Sequence, residues 1–125
     1  MALQTARAIV IGPSNPVISI GPILALPGVA DALAASPASL VAVSPLVHGT
    51  VVKGPTEACL RWAGHSPDSA GIAAAYGGLI DGLVADQPSS ALPTLETEVL
   101  LDTPERRHRV AKDTLRFALE IAPAS

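Results

Sequence analysis

Apolar residues along the chain fall into two patterns. Short runs without alternation mark strands, and longer stretches with helical spacing mark helices. Ala8–Ile11 is a continuous β-branched run, the pattern of a parallel strand covered on both faces. Residues 40–44 repeat that pattern, Gly82–Ala85 forms a third such run within 79–85, and residues 96–101 form a fourth. Between the first two strands, a helical segment over 20–26 is stopped by Pro27-Gly28, and Val29–Ala35 is a second short helix before Pro37. A helix over 56–63 ends at Gly64. In it Glu57, Leu60 and Arg61 share helical spacing, while Cys59 and Trp62 are expected to pack onto the sheet. Ser66, Pro67 and Asp68 fit N-cap, N1 and N2 of the next helix, which runs to about Tyr76 and closes on Gly77-Gly78. The last helix covers 104–121 behind a Thr103 cap. Its core stripe is expected to be Val110, Ala111, Leu115, Ala118 and Ala122, with Arg106, Arg107, Arg109, Lys112 and Asp113 facing water.

Strand, helical crossover and strand in succession predict right-handed βαβ units. The fold class is therefore α/β, three-layered, with a mainly parallel Rossmann-like sheet. The C-terminal ends of the strands then share one edge, where ligands of such folds bind.

Two loops reach that edge. The first follows Ile11: Pro13 and Pro16 cannot donate to a ladder, Ser14 and Asn15 favour turns, and Ser19 stands ahead of Gly21-Pro22 as an N-cap would. Strand, polar glycine-containing loop and helix start bring backbone N–H groups and a helix dipole together, which suits a phosphate. The same residues also serve any strand-to-helix connection. The second loop begins at Ser44 and ends at Lys53-Gly54-Pro55, where the lysine is either a point charge for a phosphate or simply solvated.

The order of these segments resembles one family. Gly12 to Leu24, Pro27-Gly28, Val41 to Val47, Val52-Lys53-Gly54-Pro55, Leu79 to Val84 and Asp102-Thr103-Pro104-Glu105 together look like the C-terminal part of the 2-phospho-L-lactate transferase family. The resemblance covers nearly the whole chain. It implies a transferase of deazaflavin coenzyme F-420 biosynthesis. Such an enzyme moves a phospholactyl or phosphoenolpyruvyl group from a guanosine diphosphate conjugate to the ribityl hydroxyl of the deazaflavin Fo, releasing GMP with magnesium as cofactor. On that basis Ser14, Asn15, Ser19 and Gly21, then Ser44 and Lys53, are the candidate phosphate and substrate contacts.

Family members are more than twice this long. The half that carries their glycine-rich nucleotide loop and metal-binding aspartates has no counterpart here, so the resemblance implies a chain that begins in mid-fold. The general base and the magnesium ligands are then expected outside it. The chain alone is expected to lack transferase activity and to self-associate, as a homodimer or otherwise, through exposed apolar surface. The sequence also departs from the family at His48-Gly49-Thr50, where two glycines are usual after Ser-Pro. The alternative is a non-catalytic nucleotide-binding or regulatory module of similar fold.

Composition narrows the choice further. At 125 residues the chain is one α/β domain at most, 49% apolar, with a core of Ala, Val, Leu and Ile because Trp62, Tyr76 and Phe117 are its aromatics. A net charge of −3 gives no footprint for nucleic acid. Cys59 is the single cysteine, which excludes an internal disulfide and suits a reducing cytoplasm. The apolar start is broken by Pro13, Asn15 and Pro16, which argues against a secretion signal, and the apolar runs are too short for a membrane span. His48, His65 and His108 lack the spacing of a helical metal site, and Asp81 and Asp86 are expected to be caps or turn formers.

Overall fold

A computed structural model describes residues 6–13, 16–46, 55–87, 89, 92–99, 101 and 103–121. Among them four strands, β1 (Ala8–Ile11), β2 (Ser39–Val43), β3 (Gly82–Ala85) and β4 (Thr94–Glu96), form one sheet in the order β1-β2-β3-β4. All three pairings are parallel, with Ile9 opposite Leu40, Ala42 opposite Leu83 and Val84 opposite Leu95. The helices are α1 (Gly21–Leu24), α2 (Val29–Ala35), α3 (Pro55–Trp62), α4 (Ser69–Ala75) and α5 (Pro104–Glu120), and a π-helical turn, Pro16–Ile20, leads into α1.

Alternate residues of each strand feed two cores. Leu40, Ala42, Leu83 and Ala85 point to one face, where Leu60 of α3 and Ile72 of α4 meet them together with Val17, Ile20 and Leu24. Val43 and Val84 point to the other and pack with Val99, Val110 and Phe117. Every residue of β2 and β3 is buried, which is why their sequences show no alternation. The three-layer parallel α/β reading is therefore correct.

Helix α5 is built as its sequence directs. Thr103 is extended and its Oγ1 accepts from the Arg106 N–H at 3.1 Å, Pro104 opens the first turn and Glu105 favours the dipole. At the far end the Ser39 hydroxyl donates to the Ile121 carbonyl at 2.8 Å, fastening the helix to β2.

Four expectations need correction. The last strand is residues 94–96, not 96–101. The Thr97 N–H closes its ladder on the Ala85 carbonyl at 2.8 Å, after which the chain leaves the sheet and Val99 and Leu101 turn into the α5 core. Helix α4 is capped by Asp68, whose carboxylate accepts from the Gly71 N–H at 2.9 Å, while the Ser66 hydroxyl donates to the same carboxylate oxygen at 2.6 Å. On α5 the buried positions are Val110, Thr114 and Ala118; Ala111 is exposed, Leu115 is 51% exposed, and Ala122 lies outside the described residues. The helix is turned by Phe117, whose ring lies over Gly82 in the space a β-carbon there would take, 2.8 Å from Cε2. On α3 it is Leu60 that is fully buried, whereas Trp62 is 85% exposed and Cys59 only half-buried.

Candidate functional site

Because the strands are parallel, the ends of β1, β2 and β3 open on one edge of the sheet, with Gly12-Pro13, Ser44 and Asp86 following them. This is the edge predicted to carry the site. Beyond β1 the helix begins earlier than expected: the π-helical turn at Pro16–Ile20 takes Ser19 into a continuous helical path. Ile20, not Ser19, precedes α1, with helical φ −80° and ψ −40° and no side-chain cap. Ser19 is instead exposed, its hydroxyl left on the surface of the wide turn. Gly21 is half-buried, and a β-carbon there would stand 3.1 Å from the Pro16 carbonyl oxygen, so the turn is closed tightly on this glycine.

Ser44 lies at the end of β2 but is 1% exposed. Its N–H donates to the Val84 carbonyl at 2.8 Å and its Oγ accepts from the Leu46 N–H at 3.1 Å, so the side chain shapes its own loop. Ser14, Asn15 and Lys53 lie outside the described residues, as does His48. The described part of the predicted set thus contributes an exposed hydroxyl at Ser19, a close-packed glycine at Gly21 and a loop-forming serine at Ser44.

One neighbour of this edge was not singled out by the sequence. Arg107, assigned to the water-facing side of α5, borders a cavity of about 300 Å³ together with Val10, Pro13, Val43 and Thr114. Its Nη1 donates to the Leu101 carbonyl at 3.2 Å. Spacing could have shown this, since Arg107 precedes Val110 by three and Thr114 by seven and so shares their stripe. The adjacent Arg106 and Arg109 are engaged by Glu98, each 3.5 Å from its carboxylate. Asp81 binds backbone as expected, accepting from the Leu40 N–H.

Among the described residues no three His, Cys, Asp or Glu side chains gather where they could hold a metal ion. No step is assigned through magnesium among these residues. No helix among the described residues is long and apolar enough to cross a membrane.

A parallel three-layer sheet with a glycine- and serine-bearing loop at its C-terminal edge places the chain among Rossmann-like α/β proteins. Comparison with known proteins goes further. The family model for 2-phospho-L-lactate transferase CofD matches residues 1–121. The chain is 46% identical to the 2-phospho-L-lactate transferase of Halobacterium salinarum over 83% of its own length and 31% of that protein. It is 36% identical to the phosphoenolpyruvate transferase of Thermobifida fusca over 99% of its own length and 40% of that protein. It belongs to the 2-phospho-L-lactate transferase family. The chain spans less than half the length of these curated relatives.

Proposed function

We propose that this chain supplies the C-terminal part of a transferase that moves a phospholactyl or phosphoenolpyruvyl group from a guanosine diphosphate conjugate to the deazaflavin Fo, in coenzyme F-420 biosynthesis in the cytoplasm. The observation that carries this reading is the family match over residues 1–121, with relatives named for both donor types. In the reaction the ribityl hydroxyl oxygen bonds to the phosphorus bearing the lactyl or enolpyruvyl group. The bond from that phosphorus to the bridging oxygen breaks, GMP leaves with the electron pair, and the hydroxyl proton passes to a base. Such transfers depend mainly on positioning and charge stabilisation.

Within this chain the loop from Gly12 to Gly21 is the proposed contact for the phosphates, with Ser44 holding the neighbouring loop in place and Lys53 adding a positive charge. The base and the magnesium site belong to the remainder of the family fold, so the chain by itself is inactive. The test is a chimera in which the matched segment of the Thermobifida fusca enzyme is replaced by these residues. With magnesium, Fo and either guanosine conjugate, the chimera should turn over while the 125-residue chain alone should not. A folded chimera that binds the conjugate without turnover would assign the segment to a non-catalytic binding module instead.

A further inference from the structure

Strands β2 and β3, each with a neighbour on both sides, are buried at every position, but β1 has one neighbour among the described residues and leaves Val10 45% exposed. Val10 faces the α5 side, because it borders the same cavity as Val43 and Thr114. Helix α5 leaves apolar surface beside it. Phe117 marks the flank toward β3, since its ring lies over Gly82. Leu115, two residues earlier, is about 200° round the helix and so lies on the opposite flank, the β1 side. Ala111, one turn before Leu115, borders the cavity with Val10 and fixes that side independently. Leu115 and Leu119 are 51% and 47% exposed, and the buried Thr114 Oγ1 between helix and sheet has no hydrogen-bond partner among the described residues.

We propose that the outer edge of β1 and this flank of α5 form a docking surface for a further parallel strand and its crossover helix, drawn from the part of the transferase fold that relatives carry outside the matched segment. The relatives have that material: 69% of one and 60% of the other lie beyond the alignment, taking 100 minus the 31% and 40% covered. The sequence of β1 selects the partner's direction. A continuously apolar strand is the pattern of the interior of a parallel sheet, whereas two-fold pairing with a second copy would set β1 antiparallel to itself. A parallel sheet grows by strand and crossover helix, and a helix seated beside α5 would cover Val10, Leu115 and Leu119 and close the cavity. The inference rests on family membership and not on the reaction, so an inactive chimera leaves it standing.

The test is thiol labelling in a Cys59→Ser background. Leu115→Cys and Trp62→Cys are placed separately in the 125-residue chain, in the chimera, and at the aligned positions of the intact Thermobifida fusca enzyme, which needs no graft to fold. The expected result is that the Trp62 position reacts in every protein, whereas the Leu115 position reacts in the short chain and is slowed at least roughly tenfold in the long ones. A Leu115 position that stays reactive in the intact enzyme overturns the proposal. So does a Leu115→Cys chain that is protected by itself in a concentration-dependent way, because a second copy then covers this face.

Discussion

Leu40 and Asp81 hold each other by two hydrogen bonds: the Leu40 N–H donates to the Asp81 Oδ2 at 2.7 Å, and the Asp81 N–H donates to the Leu40 carbonyl at 2.6 Å. The pair ties the start of β2 to the residue that precedes β3 and so sets the register that aligns the ends of both strands at the candidate edge. Asp81→Ala leaves the N–H of the buried Leu40 without its acceptor and should destabilise the chain by about 1–3 kcal/mol in urea unfolding. Asp81→Asn keeps an acceptor oxygen and should lose less than half of that. Equal losses for both variants would show that the carboxylate charge matters and not the bond.

Gly71 should be the least replaceable glycine of the fold. A β-carbon there would collide with the carbonyl oxygen of Ser66, a backbone atom held by the Ser66–Asp68 cap, so Gly71→Ala must displace the entry to α4. The expected loss is about 3 kcal/mol or more. At Gly78 none of the described residues lies within 4 Å of the added carbon, and Gly78→Ala should stay within about 0.5 kcal/mol. Thermal midpoints of the two variants compare them directly.

Tyr76 gives the stability a dependence on alkaline pH. Burial pushes its phenol up from 10.0 to about 12, and its hydroxyl has no hydrogen-bond partner among the described residues. Between those values the folded chain keeps a proton that the unfolded chain releases. The contribution of this group to stability is therefore fully present below pH 10 and is lost as pH climbs toward 12, because ionisation favours the unfolded form, by on the order of 2 kcal/mol in total. Tyr76→Phe removes the ionisation and an unsatisfied hydroxyl. It should leave stability at pH 7 unchanged or raised by up to about 1 kcal/mol, and unfolding curves at pH 8, 10 and 11 should lose this part of their slope.

Strands were legible where burial is complete, as at Gly82–Ala85, because an unbroken apolar run between turn residues fits little besides a strand covered on both faces. The same rule failed at Val99 and Leu101, which are apolar for the α5 core after the ladder has ended. Caps were legible at Thr103, where proline and glutamate follow at the right positions. They were not at Ser66 and Asp68, where both side chains can cap and only the extended Asp68 backbone decides. The face of α5 hinged on Phe117 meeting Gly82, a contact across 35 residues (117 minus 82) that no local spacing encodes. At the site, Ser44 stands at the expected edge, directly after β2. The π-helical turn that absorbs Ser19 depends on the closeness of Pro16 and Gly21, a backbone geometry with no pattern of apolar residues to announce it.

The central claim is that the loop following β1 touches the phosphates of the guanosine conjugate, and Asn15 within it is the residue to change. In the chimera with the Thermobifida fusca enzyme, calorimetric titration of the conjugate into parent and Asn15→Ala proteins, beside their thermal midpoints, separates contact from folding. A hydrogen bond to a charged group is worth about 1.5–3 kcal/mol, so the dissociation constant should rise roughly tenfold or more while the midpoint changes little. An unchanged dissociation constant with a lowered midpoint would contradict the account and leave this loop as a connection between strand and helix.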